Sequence, residues 1–122
     1  MPIVDVRFVA SARPEAHTPS AQELADALGR VLGSDPGRTW VRLHRHDISQ
    51  YAENETSVQT DELPVFATLL LATMPDIEAR AEHAGAICSA LSRCFGRPLE
   101  RIHLEYAPSG TGRVAFGGVL MG

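Results

Sequence analysis

Pro2-Ile3-Val4-Asp5-Val6-Arg7-Phe8-Val9-Ala10 is the stretch on which the fold turns. It is rich in β-branched residues and reads as a strand. Proline suits the first position, because it brings no N–H to the ladder. Sixty-two positions after Met1, the segment Leu63-Pro64-Val65 begins the same way and leads into Phe66-Ala67-Thr68-Leu69-Leu70-Leu71. That second run lacks alternation, as a strand covered on both faces would. The echo continues: Ala27-Leu28-Gly29-Arg30 matches Ala90-Leu91-Ser92-Arg93, and Val41-Arg42-Leu43 matches Ile102-His103-Leu104.

Each half places a helix between two strands. In the first, Ser20 stands three residues before Glu23 as in a capping box, after Pro19. Leu24, Ala27, Leu28, Val31 and Leu32 form one apolar face, which Gly33 ends. In the second, Met74-Pro75-Asp76 opens a helix whose stripe is Ile77, Ala81, Ala84, Ile87, Cys88, Leu91 and Phe95, ending at Gly96. Residues 38–45 and 101–106 alternate as the closing strands, while 11–17 and 47–62 read as polar loop. The expectation is an α+β fold: one domain, 1–122, of two pseudo-repeats (about 1–61 and 63–122). Each β-α-β unit makes a right-handed parallel crossover, so both helices lie on one face of a four-stranded mixed sheet. An uncovered face carrying Leu, Val and Phe is most simply hidden against further copies, which predicts a closed homo-oligomer. The segment from Val114 to Leu120 is an apolar tail beyond a turn-rich stretch.

Composition narrows the function. Of 122 residues, 44% are hydrophobic and 21% charged, with a net charge of −4. The acidic balance and scattered arginines exclude a nucleic-acid footprint, which needs a concentrated basic face. No apolar run has the length of a membrane span and no secretory signal heads the chain, so a cytoplasmic protein is expected. Cys88 and Cys94, six apart in one helix, point to different faces and read as core thiols. His44 and His46 have no companions at ligand spacing, so no metal is expected. All 11 basic residues are arginine, which excludes Schiff-base chemistry on lysine. The one amine able to titrate near neutrality is then the N-terminal one. If Met1 is removed, Pro2 becomes a secondary amine at a strand end, where burial disfavours its ammonium form and makes it a candidate general base.

A doubled β-α-β chain of this length headed by Met1-Pro2 resembles the tautomerase superfamily. Residues 101–106 with Arg113-Val114-Ala115-Phe116 look most like macrophage migration inhibitory factor. Pro2-Ile3 and Val41-Arg42-Leu43 look closer to oxalocrotonate tautomerase. The resemblance implies a homotrimer with a site at each subunit boundary, needing no cofactor, in which Pro2 moves a proton on a small 2-oxo or enol carboxylic acid. It makes Arg42 and, from the first loop, Arg13 candidates for the substrate carboxylate; Arg42 could equally form a salt bridge. Tyr51 falls where the family has a site-lining phenylalanine. Phe116 and Val114 fall at the apolar wall. His103 and Glu105 stand where the family has tyrosine and asparagine, and either line the site or pair across the subunit boundary. Arg38 is a loose substitute for the family's lysine. Two alternatives stand beside this one: a hydratase or dehalogenase using protonated Pro2 with a carboxylate-activated water, and a trimeric binding protein without turnover.

Overall fold

The computed structural model describes residues 1–12 and 17–122. Strands β1 (Ile3–Ala10), β2 (Trp40–Asp47), β3 (Val65–Leu70) and β4 (Ile102–Tyr106) form one sheet in the order β2-β1-β3-β4. β1 pairs with β2, and β3 with β4, in parallel, while the central β1–β3 seam is antiparallel. Each parallel pair is bridged by a helix, α1 (Ala21–Leu32) or α2 (Ile77–Phe95), as the β-α-β reading requires.

The helix boundaries follow from their caps. Ser20 Oγ accepts the Glu23 N–H at 3.0 Å, and Asp76 accepts that of Ala79 at 2.9 Å, each satisfying a donor with no partner inside the helix. Both helices pack on the face to which β1 sends Val4, Val6 and Phe8 and β3 sends Val65, Ala67 and Leu69. These residues join Leu24, Leu28, Ile87, Leu91 and Phe95 in one core. Pro64, the repeat partner of Pro2, is buried, and its carbonyl accepts the Val9 N–H and an Arg97 N–H at 3.0 and 3.1 Å.

Two features differ from the sequence reading. Ile77 and Ala81, counted in the α2 stripe, are both exposed, Ile77 by 70%; the first turns of α2 stand clear of the core, and its buried residues begin at Ile87. Cys88 and Cys94 are free and half-buried rather than fully inside, and burial pushes both thiols up from their ordinary pKa. The apolar tail forms a small antiparallel hairpin, β5 (Ala115–Phe116) and β6 (Val119–Leu120). Its two-residue connection, Gly117-Gly118, has φ of 58° and 85°. A tight hairpin turn of this hand needs positive φ at both positions, which glycine supplies at no steric cost.

The face opposite the helices is more polar than expected. The register aligns Arg42, Asp5, Thr68 and Glu105 in one row across all four strands, and His44, Arg7, Phe66 and His103 in the next. Among the described residues, no helix is long and apolar enough to cross a membrane.

Candidate functional site

Pro2 immediately precedes β1, and its carbonyl accepts the Trp40 N–H at 3.0 Å, tying it to the start of β2. It is buried on the helix side, like Val4 and Val6 two and four residues on. At that end of the sheet the C-terminal end of α1 and the first turns of α2 do not close over the strands. The gap is a cleft of about 430 Å³ lined by Pro2 and Met1 on the floor, Leu71 and Thr73 beyond β3, Asp35 and Arg38 from the α1–β2 connection, and His83 from α2. The His83 ring Nδ1 lies 2.8 Å from the Tyr106 hydroxyl, which fixes its orientation from the end of β4. The cleft thus joins a strand-end proline, a guanidinium, a carboxylate, an imidazole and an apolar floor. Such a set can hold an anionic group and move a proton.

The C-terminal segment closes the Met1 side. The Gly110 N–H donates to the Leu71 carbonyl at 2.7 Å, and the Met121 N–H to the Val114 carbonyl at 2.8 Å. Phe116 packs edge-on against Trp40 with ring centroids 5.5 Å apart. Phe116 thus stands beside Trp40 at the strand end that carries Pro2, but within one chain neither Phe116 nor Val114 lines the cleft.

The other candidates gather elsewhere. Arg42 lies on the open face, its Nε and Nη2 donating to the two Asp5 carboxylate oxygens at 2.6 and 2.9 Å. This bidentate pair spends the guanidinium fork that a substrate carboxylate would use. Glu105 accepts the Thr68 hydroxyl at 3.3 Å on the same row. His103 stacks at 5.2 Å on Phe66, whose ring is 5.9 Å from that of Tyr51. Within one chain none of these four lines the Pro2 cleft. Arg13 lies outside the described residues. Among the described residues, no group of three His, Cys, Asp or Glu side chains is placed to hold a metal ion.

Sequence reasoning missed His83 and Asp35. A signal for His83 was present: it lies three and seven positions from Arg80 and Ala90 on α2, between the buried stripe and solvent, where a side chain reaches past the sheet's end.

Tyr51 belongs to a separate network. Its hydroxyl donates to Glu53 Oε2 at 2.6 Å, which also accepts an Arg101 N–H at 2.6 Å, while Arg101 Nε donates to the Glu62 carbonyl. The Tyr51 hydroxyl first, and Arg101 second, hold the Glu53 carboxyl below the ordinary carboxylate range. Because the folded pKa is depressed, the network's stabilisation is complete above the unfolded-state pKa of about 4.3 and is lost as pH falls through the folded value. A carbon-detected NMR titration of Glu53 should therefore give a midpoint below that of a free glutamate. Tyr51→Phe should raise it further than Arg101→Ala; the reverse order would mean that the ion pair dominates.

No family model matches the chain, and no curated protein matches it in sequence. Solved structures do. Macrophage migration inhibitory factor from Trichinella spiralis aligns at a TM-score of 0.69 and 14% identity, covering 97% of this chain and 98% of its own. A fused 4-OT symmetric trimer aligns at 0.72 and 14%, covering 98% and 94%. FG41 malonate semialdehyde decarboxylase inhibited by 3-bromopropiolate aligns at 0.68 and 19%, covering 94% and 88%.

Proposed function

From the tautomerase-superfamily fold that this chain adopts, we propose that it is a cofactor-independent tautomerase or isomerase of a small 2-oxo or enol carboxylic acid, with Pro2 as the general base. The observation that carries the reading is that Pro2 forms the buried floor of a cleft whose rim holds Arg38. With Met1 attached, the Pro2 nitrogen is a tertiary amide and can neither accept nor donate a proton. With Met1 removed it is a secondary amine at a buried position, where desolvation and the Arg38 guanidinium disfavour its charged form and the Asp35 carboxylate opposes them. The amine takes a proton from the carbon beside the substrate carbonyl, and Arg38 holds the carboxylate and the charge that develops.

The active form is a homotrimer built from one domain of two pseudo-repeats, a reading supported by the trimeric state of the fused 4-OT neighbour. In it the open face of each copy lies against the next, so that His103, Glu105, Tyr51 and an Arg42 released from Asp5 act on a neighbouring subunit's cleft, with Val114 and Phe116 as an apolar wall between copies. Arg13 is kept as a second carboxylate contact. The protein is placed in the cytoplasm and partners neither nucleic acid nor membrane.

Asp35 favours a second reading. A carboxylate beside Pro2 in the same cleft is what a hydratase or dehalogenase needs to activate water against a protonated proline, and it would hold the amine's pKa up.

The test compares Met1-bearing and Met1-free protein, separated by intact mass, on 2-hydroxymuconate. The Met1-free form should ketonise it and the Met1-bearing form should not. Equal rates would remove the proline nitrogen from the chemistry. A pH–rate profile then separates the two reactions, since the isomerase loses rate as the amine is protonated and the hydratase gains it.

A further inference from the structure

We propose that the space which Met1 fills between Gly110 and Met121, beside the Pro2 nitrogen, is the subsite for the substrate's aliphatic chain, so that the preferred substrate is a 2-oxo acid with an unbranched chain about as long as a methionine side chain. The inference rests on Pro2 acting as the base.

The Met1 side chain is an unbranched run of four heavy atoms, and its terminal methyl reaches Gly110. A Cβ on Gly110 would lie 2.5 Å from the Met1 methyl carbon, 2.9 Å from that of Met121 and 3.3 Å from the Leu71 carbonyl oxygen. The two nearest of these atoms are the mobile ends of methionine side chains, so the absence of a side chain at this buried position leaves space that the Met1 methyl occupies and that a methyl on residue 110 would compete for. Its backbone φ is not in the left-handed region. Space rather than conformation therefore selects glycine. Met121, whose methyl flanks the same position, is a flexible thioether that adapts to an irregular apolar guest. The strand-like segment around it is tied back by the Gly112 N–H to the Met121 carbonyl at 2.6 Å.

Met1 is joined to the Pro2 nitrogen, so the volume it vacates begins at the atom that does the chemistry and ends at Gly110. Met1 therefore stands in for a ligand whose reacting carbon is next to that nitrogen. The base removes a proton from C3 of the 2-oxo acid, the C–H electrons pass to the C2 carbonyl as an enolate, and the same proton or one from solvent returns to carbon. With the carboxylate toward Arg38, the C3 substituent runs along the vacated channel. A straight chain follows that path to its end, where Gly110 and the Met121 methyl meet it.

The experiment uses Met1-free protein and follows deuterium exchange at C3 by proton NMR for pyruvate, which has no chain, and 2-oxohexanoate, which adds a propyl group. Burial is worth about fourfold per methylene, so kcat/KM should favour 2-oxohexanoate by roughly fiftyfold. Gly110→Ala should reduce that preference to within about threefold through a raised KM for 2-oxohexanoate, with pyruvate exchange unchanged. A preference retained in Gly110→Ala, or an equal loss on both substrates, overturns the subsite. Exchange on neither substrate, or exchange unaffected by Pro2→Ala, overturns the base instead.

A second measurement needs no turnover. In protein made with methionine aminopeptidase inhibited, Gly110→Ala should lower Tm by several degrees, because the new methyl expels Met1. In Met1-free protein the same substitution should lower Tm by clearly less, because only the contacts with Met121 and the Leu71 carbonyl remain. An equal fall in both forms, or none in either, refutes the claim that Gly110 shapes this channel.

Discussion

Pro2→Ala in the Met1-free protein lowers kcat/KM for 2-hydroxymuconate by about 10³-fold, the middle of the range for loss of a positioned general base. That factor is about 4 kcal/mol of transition-state stabilisation. Alanine still leaves an amine, but a primary one, with a free rotor in place of the pyrrolidine ring that holds the nitrogen at the cleft floor, although the Trp40 N–H still ties down the carbonyl of residue 2. The loss should fall mainly on kcat, because Arg38 still binds the carboxylate. The sheet does not depend on the ring, since proline contributes no N–H and alanine can fill the same strand position. Circular dichroism and the sedimentation profile should accordingly match the parent. A variant that turns over as fast as the parent would dismiss the proline, whatever the fold.

The largest expected effect on stability is that of Leu91→Ala. Leu91 is 0% exposed and sits with Leu28, Val6 and Ile87 where α2 presses on the central strands. Truncation removes three carbons and leaves a void that surrounding side chains fill only partly, which costs about 3 kcal/mol. For a chain of this size that is a fall of roughly 12 °C in Tm, measured at fixed protein concentration so that assembly does not enter the comparison. Ile77→Ala is the contrast. Its side chain is 70% exposed, and its loss should stay within about 0.5 kcal/mol. Similar costs at both positions would contradict the packing described here.

That contrast shows what the sequence carries and what it does not. Helix phase is a local property, so Leu24, Leu28, Ile87 and Leu91 could be assigned to the core from spacing alone. Capping is local too, and Ser20 with Glu23 marked the start of α1 to the residue. The doubling of the β-α-β pattern then gave a four-stranded mixed sheet with both helices on one face, because right-handed crossovers leave few ways to lay two such units edge to edge; the order β2-β1-β3-β4 comes from the structure. Ile77 failed because a stripe does not announce where the sheet beneath it ends. The Asp5–Arg42 pair was invisible for a different reason. It joins residues 37 apart through the register of two parallel strands, and a shift of one position would have turned both side chains the other way. Asp35 and Arg38 come from the α1–β2 connection and His83 from a turn of α2, and only the end-on geometry of the sheet brings them to Pro2.

The strand order has a consequence for the chain before it meets its copies. β1 and β3 are hydrogen-bonded to strands on both sides, whereas among the described residues β2 and β4 are the edges of the sheet, each with one row of backbone groups that pairs with no further strand. Such rows are templates on which chains stack without limit. β2 carries Arg42, His44, Arg45, His46 and Asp47 in succession along its open edge, after the exposed Trp40. Ladders of identical strands would set each of these charges against its own kind, so β2 resists fibrillar growth while remaining able to pair with a different, complementary edge. β4, with His103 and Glu105 alternating against Ile102, Leu104 and Tyr106, is the less guarded of the two, and an isolated subunit is exposed to misassembly chiefly along that side.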